Sequence, residues 1–187
     1  MNNKLIIEPI YSLCEVQNLV PERDWLLSQA FGSEQRRREF LSWRAVVYRE
    51  LGAVELAYNA VGAPVVEHSN VYIGVSHCRG RVAVCISDKP CAVDIEQTKR
   101  NFRRVASRYI SEQEQTLSDD PLLPAVVWCA KECLYKYAGL AGLDFLRDIR
   151  VTQLDLKSGT ITGCIKNGEA VSLFLRVIDE YVVVYVL

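Results

Sequence analysis

The stretch Cys91-Ala92-Val93-Asp94-Ile95-Glu96 alternates in the way a β-strand requires. Cys91, Val93 and Ile95 fall on one face, and Asp94 and Glu96 fall on the other. Upstream, the strand-like runs Val71–Ser76 and Val82–Ser87 flank His77-Cys78-Arg79-Gly80-Arg81, which predicts a hairpin with Gly80 in the turn. Downstream, Pro121 and Pro124 open a helix that runs to Gly139. Four more strand-like runs close the chain: Ile149–Leu156, Gly163–Lys166, Ala170–Ile178 and Tyr181–Leu187. Ser158-Gly159 and Asn167-Gly168 punctuate them. Helices and strands mix in both halves, and strands adjacent in sequence can pair antiparallel. The predicted class is therefore α+β.

Further out, Lys4–Ile10 fits an early strand and Ser33–Leu51 a helix, with Ser33 as N-cap and Gly52 just past its end. Phe40, Val47 and Leu51 form one stripe at helical spacing, with Trp43 on its edge. Arg37 and Arg44 lie on the other edge, seven residues apart, where two guanidinium groups can point into a cleft. Gly62-Ala63-Pro64 is a turn signal. Residues 101–117 read as helical in two pieces, with Ser111 an N-cap and Glu114 at the capping-box position.

A chain of 187 residues allows one domain, or two small subdomains sharing a core. Half of the residues are hydrophobic, enough apolar surface to make disorder untenable. The 22 basic and 23 acidic residues nearly cancel, which excludes a globally basic nucleic-acid binder but not a local patch. One such patch is Lys99–Arg108, where Lys99, Arg100, Arg103, Arg104 and Arg108 occur with no acidic residue. Only Phe102 interleaves, so stacking on single-stranded nucleic acid finds little support. The start shows no secretory signal and no run is apolar over the length of a membrane span, so no membrane association and a cytoplasmic location are expected. Seven cysteines then read as reduced thiols, and Cys129 and Cys133, without nearby histidines, as packing residues rather than metal ligands. No phosphate-binding Gly-Lys loop, dinucleotide-binding glycine pattern or zinc-protease motif occurs.

Two elements carry possible chemistry. Asp94 and Glu96, side by side on an apolar strand, suit Mg²⁺, which one or two carboxylates hold together with substrate phosphates. For an arbitrary Asp-x-Glu a solvated strand face is the commoner explanation, so alone the motif is a weak signal. On the helix of residues 124–139, Val126, Ala130, Cys133 and Tyr137 form an apolar face, while Trp128, Lys131, Glu132, Tyr135 and Lys136 fall opposite. That second face reads either as a surface Glu132–Lys136 pair or as a third metal carboxylate beside lysines placed for phosphate. His77 could donate to a phosphate, act as a base, or satisfy a carbonyl. A nucleophilic Ser76–His77 pair is disfavoured, because adjacent strand residues face opposite ways.

Taken together, Gly62-x-Pro64, Ser76-His77, Val93-Asp94-Ile95-Glu96 and Trp128-x-x-Lys131-Glu132-x-x-x-Lys136 resemble the 4′-phosphopantetheinyl transferases of the larger, surfactin-synthetase-activating type. The resemblance spans roughly residues 33–139, including the arginine-bearing helix at Ser33–Leu51. It implies a fold of two pseudo-symmetric α/β halves, here residues 1–89 and 90–187 with a boundary near Lys89-Pro90, and an active site at their interface. One chain would then complete the site, so a monomer is expected. The activity implied is Mg²⁺-dependent transfer of the 4′-phosphopantetheine arm of coenzyme A to a serine of an apo acyl- or peptidyl-carrier protein, releasing adenosine 3′,5′-bisphosphate. By the same resemblance, Asp94, Glu96 and Glu132 would hold Mg²⁺. Glu114 would be the base, with Glu112 competing, and Lys136 would stabilise or protonate the leaving phosphate. Arg37, Arg44, Gly62, Pro64, Ser76, His77 and Lys131 would contact the coenzyme, and Lys99–Arg108 would steer an acidic carrier.

The sequence departs from the family's pattern in three motifs. Ala63 stands for the lysine of Gly-Lys-Pro, Cys78 for the second serine of Ser-His-Ser, and Ala92 for the glycine of Gly-Ile-Asp. The segment from Glu114 to Trp128 is also shorter. Two alternatives are another Mg²⁺-dependent phosphoryl transferase and a non-catalytic module that binds coenzyme A or a carrier protein.

Overall fold

The computed structural model describes residues 3–187, folded as the α+β class predicts. Strand β1 (Lys4–Pro9) leads to three helices, α1 (Leu13–Val16), α2 (Glu22–Ser28) and the long α3 (Glu34–Leu51). A small hairpin, β2 (Leu56–Tyr58) and β3 (Pro64–Val66), turns at Gly62, which takes φ +80°. Then come β4 (Tyr72–Cys78), β5 (Arg81–Ser87) and β6 (Ala92–Gln97). A 3₁₀ segment at Phe102–Arg108, the short α4 (Glu112–Gln115) and α5 (Leu123–Ala138) lead to β7 (Ile149–Asp155), β8 (Thr160–Ile165), β9 (Ala170–Ile178) and β10 (Tyr181–Val186).

The larger strands form two antiparallel sheets, ordered β1-β5-β4 and β6-β10-β9-β8-β7. The strand period explains how they stack. In β5, Val82, Val84 and Ile86 face Trp43, Val46 and Val47 of α3, while Ala83 and Cys85 face the other sheet. In β10, Val182, Val184 and Val186 face α5, while Val183 and Tyr185 meet Val93 and Ile95 of β6. The layers thus run helix, sheet, sheet, helix, with β5 and β10 buried on both faces. Each such valine or isoleucine contributes about 1.5–3 kcal/mol by leaving water. The fit between layers is close at Gly74 of β4, where a Cβ would stand 2.6 Å from Cys85 Sγ and 2.9 Å from Ala92 Cα of β6.

The expected stripe on α3 is too narrow. All residues from Glu39 to Val47 are buried, because α1 and its flanks cover Phe40, Leu41 and Ala45 while the sheet covers Trp43, Val46 and Val47. Gly163, expected to open a strand, instead lies inside β8, where a Cβ would collide with Leu134 and the Arg150 carbonyl. Among the described residues, no helix is long and apolar enough to cross a membrane.

Candidate active site

Asp94 sits where β4, β6 and α5 meet, and its side chain is almost wholly buried. From β4, Ser76 donates its hydroxyl to Asp94 Oδ1 at 2.8 Å and accepts from the Ile95 amide at 3.3 Å. From α5, Lys136 Nζ donates to the same Oδ1 at 2.6 Å and to the Val93 carbonyl at 3.0 Å. Asp94 Oδ2 is buried with no hydrogen-bond partner. A buried acceptor left in this state costs about 1–3 kcal/mol.

Glu96, two residues along the same strand face, accepts from the Trp128 indole Nε1 at 3.2 Å and pairs with Arg100. Glu132 lies one turn before Lys136 on α5. Burial, then the Asp94 charge, push the Glu96 and Glu132 carboxyls above the ordinary range. Burial alone would lower the Lys136 ammonium, but its contact with Asp94 outweighs that and holds it above the usual lysine value. Three carboxylates repelling one another, one with an unpartnered buried oxygen, are a hard-oxygen donor set that fits a divalent cation. Their oxygens are not drawn into a tight cluster. Among the described residues only the exposed trio Glu55, Glu67 and His68 brings ligand atoms within 4.8 Å of one another. Lys136 and Arg100 instead balance two of the three charges.

Beside Lys136 opens a cavity of about 230 Å³. Gly62, Ala63 and Pro64 of the small hairpin form one wall, Gly74 and Cys91 the back, and Tyr135 with Lys136 the α5 side. Asn59 shapes the hairpin turn, its side-chain oxygen accepting from the Val61 and Ala63 amides. Gly62, Pro64, Ser76, Asp94 and Lys136 therefore belong to one region, although Ser76 is committed to Asp94 and does not line the cavity.

Other expected site residues fall elsewhere. Arg44 does not point into a cleft. At 2% exposure it lies over the Phe40 and Trp43 rings and faces Asp24 at 3.4 Å, its charge consumed inside the N-terminal layer. Arg37 lies over Trp25, with a buried Nε that has no partner. His77 points away from Ser76, as alternation demands, and meets α3 through Arg36 at 2.8 Å and Glu39 at 3.5 Å. Burial lowers its imidazole below the ordinary value. Arg36, adjacent to the expected Arg37, is the guanidinium beside His77; Glu39 three residues on was its sequence signal.

Lys131 does not share the face of Lys136. Five helical residues rotate the two apart by roughly 140°. Fully buried, Lys131 donates to Glu114 Oε2 at 2.8 Å and to the Phe145 carbonyl at 2.7 Å, with Glu114 Oε1 also 2.8 Å from its ammonium. Glu114, 2% exposed, also accepts from the Ser111 and Val151 amides, both at 2.8 Å. Glu112 is exposed on α4. Cys129 and Cys133 are buried packing thiols, as expected, and all seven cysteines are free.

The Asp-x-Glu strand β6 and the helix α5 bearing Trp-x-x-Lys-Glu-x-x-x-Lys pack together beside a largely apolar cavity whose one charged lining residue is Lys136. A family model described as the 4′-phosphopantetheinyl transferase superfamily matches residues 90–186, just over half of the chain. The chain belongs to that superfamily. The matched segment carries Asp94, Glu96, Glu114, Glu132 and Lys136, while Arg37, Gly62, Pro64, Ser76 and His77 lie before it. Comparison with curated proteins gives no match.

Proposed function

We propose that the protein transfers the 4′-phosphopantetheine arm of coenzyme A to a serine hydroxyl of an apo acyl- or peptidyl-carrier protein, releasing adenosine 3′,5′-bisphosphate. The observation that carries this is the Asp94 carboxylate, one oxygen held by Ser76 and Lys136 and the other buried without a partner. It lies beside a cavity walled by the Gly62–Pro64 turn. Asp94, Glu96 and Glu132 would hold Mg²⁺, which when bound supplies neutralisation of pyrophosphate charge and alignment of its oxygens.

The chain's own groups do the rest. In the transfer, a bond forms between the serine oxygen and phosphorus while the anhydride bond breaks, and the serine proton leaves to solvent or a carboxylate. Such displacement needs positioning and charge stabilisation more than covalent help from the protein. Lys136, whose ammonium is held firmly protonated, stabilises the phosphate that departs. Arg36, whose guanidinium donates to the His77 imidazole, offers further donors for the coenzyme's phosphates. The Gly62–Pro64 turn shapes the cavity, with Ala63 contributing no charge there. Of the two carboxylates suggested as base, Glu112 is the one open to solvent. The free thiols accord with a reducing, cytoplasmic setting.

The test is labelling of an apo carrier with a fluorescent coenzyme A analogue, with and without Mg²⁺. Asp94→Ala and Glu132→Ala should each lower labelling by more than about 100-fold while the proteins remain folded. Full labelling by both variants would refute the assignment of these carboxylates.

A further inference from the structure

Glu114 and Lys131 form an ion pair that the transfer chemistry does not use. Every polar atom in it is satisfied. The ammonium donates to Glu114 Oε2 and the Phe145 carbonyl and lies 2.8 Å from Glu114 Oε1. The carboxylate has the ammonium and the amides of Ser111 and Val151. A carboxylate so placed, 2% exposed and facing a fixed cation, is poorly suited to take a proton from an incoming hydroxyl. A buried pair of this kind gains little net stability over apolar residues of similar size, so its presence invites another account.

The neighbours supply one. Lys131 fixes the Phe145 backbone, and the Phe145 ring packs on the Trp128 ring at 5.7 Å. Glu114 fixes the Ser111 amide, and two residues earlier the Tyr109 ring meets Trp128 edge-on at 5.0 Å. Tyr109 is anchored in turn by its hydroxyl, which donates to the Pro124 carbonyl at 2.9 Å. Two routes from one ion pair thus reach two ring neighbours of a single indole. The Nε1–H of that indole is the donor to Glu96 Oε1.

We propose that Glu114 and Lys131 are positioning residues: together they clamp Trp128 through the Tyr109 and Phe145 rings, so that its indole holds Glu96 in place to bind the divalent cation. This rests on the functional reading above. It replaces a proton-accepting role for Glu114 with a structural one exerted at the cation site. Loosening the clamp frees Glu96 to turn wholly to Arg100, its other partner.

The experiment measures Mn²⁺ binding to the full-length protein by the loss of the free-ion paramagnetic signal, alongside carrier labelling and a thermal melt. Trp128→Phe keeps the ring and removes the donor, and should weaken Mn²⁺ binding about 10–100-fold, the usual cost of losing a group that orients a metal ligand. Glu114→Gln should weaken Mn²⁺ binding similarly while leaving the shape of the pH profile of transfer unchanged. Glu114→Gln combined with Lys131→Met removes both buried charges and should recover most of the lost Mn²⁺ affinity and transfer. Wild-type Mn²⁺ affinity in Trp128→Phe would overturn the proposal, even if the Glu114 variants fail to fold. So would a Glu114→Gln protein that binds Mn²⁺ normally but has lost the pH dependence of transfer, or a double variant no better than the single one. Wild-type protein that binds Mn²⁺ and transfers nothing would contradict the functional reading alone, because the binding measurements still test the clamp.

Discussion

At the scale of single residues, the site is a matter of which charges are left uncommitted. Asp94 shares one oxygen between Ser76 and Lys136 and keeps the other unpartnered, whereas Arg44, Lys131 and Glu114 are consumed by internal partners. His77 yields a pH prediction. It faces Arg36 and Glu39 of α3, with the charges of Lys136 and Asp94 from α5 and β6 also acting on it. Burial depresses its folded value below the ordinary 6.5. As pH falls through that ordinary value, the unfolded chain takes up a proton that the folded chain refuses, so stability declines until the lower folded value is passed. Urea midpoints measured between pH 7.5 and 5 should therefore fall less for His77→Gln than for the wild type. Equal slopes would show that the imidazole is not held neutral by the fold. His68, exposed and the other histidine of the chain, serves as the control substitution.

At the scale of elements, local signals were legible in the sequence and long-range ones were not. Ser33 and Ser111 accept from the amides three residues on, as their capping positions foretell, and Gly139 ends α5 in the left-handed conformation. Those features depend on neighbours within one turn. Lys131 shows the limit. Read from the sequence it groups with Lys136, although five helical residues turn the two about 140° apart. What it meets on its own face, Glu114 17 residues away and the Phe145 backbone, no spacing could show. Arg44 fails for the same reason, since Asp24 and Tyr58 reach it from separate segments. Gly74 carried no sequence signal at all, because its importance lies in another strand. Gly74→Ala should push β4 away from β6, costing about 1–3 kcal/mol by overpacking. Because Ser76 lies two residues along the same strand, the variant should lose transfer beyond what its melting temperature explains. A crystal structure showing the Ser76–Asp94 contact unchanged would contradict this.

At the scale of the whole molecule, a net charge of −1 conceals segregation. The Asp94 carboxylate lies near enough to Glu96 and Glu132 to raise their affinity for protons, without the three forming a tight cluster, while Lys99–Arg108 leaves Arg103, Arg104 and Arg108 exposed on one segment. Arg100 links the two, pairing with Glu96 while lying over Trp128. If the acceptor is an acidic carrier, kcat/KM should fall as salt rises over the range where the Debye length shrinks past about 10 Å. Arg103→Glu with Arg104→Glu should flatten that dependence while leaving kcat within about twofold. A salt response identical to wild type would remove the segment from carrier recognition. The α+β class and the buried character of the C-terminal strand were readable from the sequence, but the helix, sheet, sheet, helix stacking was not, because β5 and β10 are buried on both faces and partners distant in the chain decide what each face meets. The central claim, that this stacked core presents Asp94 and Lys136 for phosphopantetheine transfer, is tested most directly by the intact mass of an apo carrier protein after incubation with coenzyme A and Mg²⁺. The account predicts a carrier heavier by one phosphopantetheine arm, with the gain abolished by Asp94→Ala; a carrier of unchanged mass across apo acyl- and peptidyl-carriers would contradict it.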